Sequence, residues 1–264
     1  MNAAPLIVEG AVMPRSMLLP MVIVLGLSPS WCDAAGPVNG EQKMSSADAE
    51  QVFLQPAVAE LARAVAKGDE VAIRRLAPQA DLNAQGRDGV TLLEWAVLNK
   101  RPGSLKALLE VGANPSQQGL DGETVIHLAA QADDLVYLQT LLKAGADANA
   151  LSRSQTNALV SALDAARKDH LSMLLEAGAK PDQANLVGYT PLHAAAMLRD
   201  YDSVLVLLKH GADPRARSKN GATFQSFVFP DAKRVPLNAK AKEGQREIRA
   251  WLLANGVEAE GRPQ

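Results

Sequence analysis

Leu207-Leu208-Lys209-His210-Gly211-Ala212-Asp213-Pro214 is one of four copies of a phrase spaced 33 residues apart. The other copies centre on Gly112, Gly145 and Gly178, each behind a leucine pair: Leu108-Leu109, Leu141-Leu142 and Leu174-Leu175. A second ladder, Thr91, Thr124, Asn157, Thr190 and Thr223, keeps the same step without a slip. A period of this length marks a stacked repeat, whose units bury apolar surface only against their neighbours. It decides for an all-α solenoid before any propensity argument begins. It also lowers the expectation of an active site, because solenoids mostly present binding surfaces.

Within each unit the text is regular. A turn comes first, at Asp88-Gly89, Asp121-Gly122, Val187-Gly188 and Asn220-Gly221, and Asp-Gly or Asn-Gly suits a tight hairpin. Thr91, Thr124 and Thr190 then stand where a side-chain oxygen caps the exposed N–H groups of a short first helix. A polar break follows, such as Arg199-Asp200 or the stretch from Gln131 to Asp134. The second helix carries apolar residues at helical spacing, as in Leu135, Leu138, Leu141 and Leu142. The glycine behind each leucine pair can adopt the left-handed conformation that closes a helix.

Thr190-Pro191-Leu192-His193-Ala194-Ala195, together with the leucine-pair phrase at 207–214, resembles the signature of ankyrin-repeat proteins. Thr124-Val125-Ile126-His127-Leu128-Ala129-Ala130 is a near match, Thr91-Leu92-Leu93-Glu94-Trp95-Ala96 a looser one. Asn157-Ala158-Leu159-Val160-Ser161-Ala162 keeps only the outline. The resemblance covers roughly residues 57–258. It implies an ankyrin-repeat solenoid of helix-turn-helix units with short hairpin turns, about six repeats including caps. The units fall near 57–86, 87–119, 120–152, 153–185, 186–218 and 219–258, and are numbered one to six below. Unit six starts in register at Thr223, but Leu252-Leu253 and Gly256 arrive 12 residues late. The extra segment near 229–240 reads either as a specialised loop or as a lid over the last apolar face.

The ends read differently. Residues 1–35 have the layout of a secretory signal: Arg15, an apolar core from Met17 to Leu27, then small residues to Ala34-Ala35. That core is about half the ~20 residues that span a bilayer, and Pro20 interrupts it. A cleaved signal is therefore expected, with Met13 a tidier start than Met1. Cys32 is the only cysteine. It leaves with the signal if cleavage follows Ala34 or Gly36, and lipidation is the alternative, disfavoured by Trp31 directly before it. A disulfide-free protein then suits an oxidising compartment such as the periplasm. Residues 36–56 read as a flexible lead-in with a short helix, and 259–264 as a disordered tail.

Chemistry finds little support. The formal charge of −2 gives no bulk pull toward nucleic acid, and the basic residues are dispersed. There is no Gly-x-Ser-x-Gly and no glycine-rich phosphate loop. A carboxylate pair among Asp121, Glu123 and Asp164 is better explained by solvated turns. His127 and His193 fill the signature's histidine, which the resemblance makes structural; His170 and His210 flank second helices. No metal, no cofactor and no enzyme activity are expected.

Binding is what the resemblance implies, through a concave surface of hairpin tips and first helices. The residues chosen for it are Arg87, Trp95, Leu120, Glu123, Arg153, Leu186, Tyr189 and Phe227. Large apolar groups at such positions suggest a partner. Trp95 and Phe227 have a second reading, packing against the neighbouring unit. The expectation is a monomeric, periplasmic protein that binds another protein, with no membrane contact after cleavage, in an immunity or stress role. The runner-up is a periplasmic enzyme or small-ligand binder in which Pro230, Lys233 and Arg234 of the insertion line a pocket.

Overall fold

The computed structural model describes residues 49–229 and 237–260. The export-signal reading, Cys32, and Pro230, Lys233 and Arg234 all lie outside the described residues. Within them every regular element is a helix, and hairpin pairing is limited to two isolated bridges, Gln118 with Thr124 and Arg217 with Thr223. The all-α stack expected from the period is what is found.

A short leading helix, α1 (Ala49–Val52), precedes six helix pairs. These are α2 (Pro56–Lys67) with α3 (Glu70–Leu76), α4 (Leu92–Leu98) with α5 (Pro102–Glu110), and α6 (Val125–Gln131) with α7 (Val136–Lys143). They continue as α8 (Ala158–Asp164) with α9 (Lys168–Glu176), α10 (Pro191–Met197) with α11 (Tyr201–Lys209), and α12 (Phe224–Val228) with α13 (Ala239–Ala254). First, or inner, helices pack on inner helices from α2 to α12, and second, or outer, helices pack on outer ones at α3 with α5, α5 with α7, α9 with α11 and α11 with α13. Leu108, Leu141, Leu174 and Leu207, one per period, are fully buried in the seam between them. Truncating any one to Ala would cost about 2–5 kcal/mol. Gly145, with φ 82°, shows how each outer helix stops. Its N–H bonds Leu142 O and the next N–H bonds Leu141 O, a left-handed closure that a Cβ would strain.

Side chains tie each unit to the next. Asn149 Oδ1 accepts from Lys180 N at 2.7 Å, and Asp182 Oδ1 from Asp213 N at 2.7 Å. At the leading end, Trp95 Nε1 donates to Ala62 O at 2.9 Å and Ser104 Oγ to Val65 O at 2.9 Å. The last carbonyls of α2 thus find partners in unit two. Phe53, on the stretch read as lead-in, is buried and meets Trp95 edge-on at 5.8 Å. It covers an end that no preceding repeat protects.

The trailing end is closed by the chain itself. Gln225 Oε1 accepts from Glu260 N at 2.8 Å, and Thr223 Oγ1 donates to Glu260 Oε2 at 2.8 Å. The tail read as disordered from 259 is therefore held at Ala259, which packs on the core, and at Glu260, which bonds Thr223 and Gln225. The long helix α13 packs on α11, and Gly244 permits it. A Cβ there would fall 2.5 Å from Tyr201 Cβ.

Candidate protein-binding surface

The turns and the inner helices build one continuous surface. Turns stack through the backbone: Arg153 N donates to Gly122 O at 2.8 Å and Lys219 N to Val187 O at 3.1 Å. Equivalent residues then line up in rows across the stack. One row crosses the inner-helix ends as Leu98, Gln131, Asp164 and Met197, and the next as Asn99, Ala132, Ala165 and Leu198.

The start of each inner helix is pinned by the residue three after its cap. His127 Nδ1 accepts from Thr124 N at 3.2 Å, and His127 Nε2 faces Thr156 O at 3.1 Å. A backbone N–H can only donate and a carbonyl can only accept, so the neutral Nε2–H form is dictated. His193 repeats this with Thr190 N at 3.2 Å and Ala222 O at 3.1 Å. Burial pushes both imidazole pKa values down, so the neutral form persists. Both ring nitrogens are committed, which suits a structural role and leaves none for a metal. Among the described residues no group of three or more His, Cys, Asp or Glu is placed to hold one.

Glu94 fills this position in unit two. Its carboxylate accepts from Thr91 N at 2.8 Å and reaches Leu120 N at 3.2 Å. Gly119 is required beside it, since a Cβ would lie 1.9 Å from Glu94 Oε2. Burial raises the Glu94 pKa, against hydrogen bonds from Thr91 and Leu120 that lower it. Glu123, half-buried on the same surface, is pushed up to about 7, first by burial and then by Asp121, Glu94 and Asp164. Burial raises Asp164 as well. Glu123 is thus the half-buried member of the group, while Asp121 and Asp164 are exposed.

The eight chosen residues divide. Arg87, Arg153 and Leu186 are exposed at the turn tips, and Glu123 is half-buried beside Asp121. Trp95 needs correcting: it is 0% exposed, held by Phe53 and Ala62, and packs between units instead of facing a partner. Leu120 is partly buried against the core. Tyr189 and Phe227 are half-buried and meet edge-on at 6.1 Å, joining unit five to unit six. Three residues went unchosen. Val187, Met197 and Leu198 are 52%, 51% and 48% exposed, beside Leu186 at 59%. The available signal was the run Ala195-Ala196-Met197-Leu198, which carries apolar residues past the buried side of its helix.

Comparison with known proteins agrees with the geometry. A family model described as ankyrin repeats matches residues 105–185 and 127–218. The ankyrin repeat domain of Bcl-3, of the IkappaB family, superposes with a TM-score of 0.64 at 25% identity, over 75% of this chain and 86% of that one. An ankyrin repeat domain from Acinetobacter baumannii AYE gives 0.62 at 26% identity, over 75% of this chain and 98% of that one. Protein PhlB of Serratia liquefaciens is 50% identical over 56 residues, which is 21% of this chain and only 25% of PhlB.

Proposed function

This chain belongs to the ankyrin-repeat family, and from that premise we propose an exported, non-enzymatic module that binds a protein through its turn and inner-helix surface. Ankyrin repeats are in general protein–protein interaction modules. The observation that carries the reading to this chain is the strip of Leu186, Val187, Met197 and Leu198, each about half exposed on a single unit. Four large apolar groups on one edge of a rigid stack are a liability unless a partner covers them. Export rests on the layout of residues 1–35, and periplasmic residence follows from it. A role in neutralising a toxic protein or in stress defence needs only a rigid surface in that compartment.

The test has two arms. Full-length protein expressed in a Gram-negative host should appear in the osmotic-shock fraction, shortened at its N-terminus. Retention in the cytoplasm at full length would end the export reading. Affinity capture from that fraction should return a specific protein, lost when Leu186→Asp is combined with Met197→Lys. A partner held equally well by the double variant would move the binding site elsewhere.

A further inference from the structure

The apolar strip of unit five borders the carboxylates of units three and four. Asp164 and Met197 occupy equivalent places on neighbouring inner helices, α8 and α10, which pack side by side. Asp121 and Glu123 flank Gly122 at the turn of unit three, and Asp164 acts electrostatically on Glu123. Ion pairs found elsewhere include Arg74 with Glu110 and Arg167 with Asp133 toward the outer helices, and Arg63 with Glu50 between α2 and α1. None of the ion pairs among the described residues includes Asp121, Glu123 or Asp164. Arg153 lies over Gly122 on the next turn, and Arg199 follows Leu198, yet neither pairs with these acids.

Three like charges on one face, Glu123 half-buried and Asp121 and Asp164 exposed, repel one another, and that repulsion is relieved by a cation brought from outside. The strip runs from the turn tip at Leu186 to the helix end at Met197. The seven residues of α10 alone make that about 10 Å. A small cation would satisfy the acids and leave the strip uncovered; a nucleic acid would be repelled by the acids. We infer that the surface takes a basic, amphipathic segment of a protein partner, with apolar side chains on Leu186, Val187, Met197 and Leu198 and a Lys or Arg among Asp121, Glu123 and Asp164. This rests on the binding reading above and adds the chemistry of what is bound.

Panning a random peptide display library on the purified full chain tests it. The enriched peptides should carry Lys or Arg within a few positions of two large apolar residues. Their affinity, measured by fluorescence polarisation, should fall about tenfold for the pair Glu123→Gln and Asp164→Asn, and should weaken with salt. It should vanish for the pair Leu186→Asp and Met197→Lys. Asp121→Asn carries the same charge test should the first pair misfold by circular dichroism. Enriched peptides without basic residues, or indifferent to the charge variants, would overturn this inference and leave the binding surface standing. No enrichment, or peptides indifferent to Leu186→Asp with Met197→Lys, would overturn the surface itself.

Discussion

Units four and five are neighbours built from the same plan, and they depart from it in opposite ways. Unit five keeps the frame: Gly188 at its turn, Thr190 as the cap, and His193 bonding both Thr190 and Ala222 O of unit six. Its departure is on the surface, where Leu186, Val187, Met197 and Leu198 face outward. Unit four breaks the frame. Gln155 replaces the turn glycine with φ 60°, Asn157 replaces the threonine, and Val160 replaces the histidine. Asn157 Nδ2 finds Lys180 O at 2.9 Å, but its Oδ1 is buried with no partner. The lesson is that surface and frame vary independently here. The unit that carries the sticky strip is anchored firmly to unit six, while its junction to unit four lacks the histidine bridge.

The sharpest way to break that comparison is to remove the bridge where it exists. His193→Ala strands Thr190 N and Thr190 Oγ1 in a buried setting and removes one of the donors to Ala222 O, and should cost about 3 kcal/mol. Val160→Ala, at the equivalent place in unit four, trims a half-buried side chain and should cost about 1 kcal/mol. Urea denaturation of both variants decides it. Equal losses would mean that the histidine bridge does no more than fill space.

Glu123 gives a second measurement, in pH. The folded Glu123 pKa of about 7 stands above its ordinary 4.5. The folded state thus holds the proton more tightly, and stability associated with this group is present below 4.5 and lost as pH rises through about 7. His127, His170 and His193 slope the other way, since their lowered pKa values cost stability as pH falls below 6.5. Comparing the protein with Glu123→Gln at each pH separates the two trends. The variant should be more stable than the parent by roughly 2 kcal/mol at pH 8 relative to pH 4.5, after allowance for partial exposure. A constant difference across that range would remove the case for a raised Glu123 pKa.

How much of this was legible in the sequence follows from the kind of contact involved. The stack, the caps and the glycine closures are local and repeat every 33 residues, so one good copy at 190–214 decodes the rest. Trp95 reads both as surface and as packing, because its burial depends on Phe53, which precedes the repeated helices, as well as on Ala62, its own counterpart in unit one. Met197 and Leu198 stand just before the polar break at Arg199-Asp200 and are not singled out by the signature, although the row partner of Met197, Asp164, is a surface residue. Glu123 and Asp164 are far apart in the chain. Only the stack brings them together, and the period can place them side by side but cannot say how poorly solvated the site between them is.

The smallest effect concerns the turn of unit four. Gln155 holds φ 60° where Gly89, Gly122, Gly188 and Gly221 hold 73–86°, a conformation that disfavours any residue with a Cβ. Gln155→Gly should stabilise by about 0.5–1 kcal/mol, the relief of strain being partly offset by a freer unfolded chain. Ala166 and Arg199 do not sharpen the comparison, since they occupy equivalent places in units four and five with nearly equal φ, 55° and 56°. The reciprocal change, Gly188→Gln, should cost more than Gln155→Gly gains. A Cβ at 188 is strained by φ 86° and would also fall 2.8 Å from Lys219 N, a backbone atom that cannot swing aside. Paired thermal melts read both changes. If Gly188→Gln were as mild as its mirror, the stacking of turns would be loose, and unit five would owe its rigidity to the helices alone.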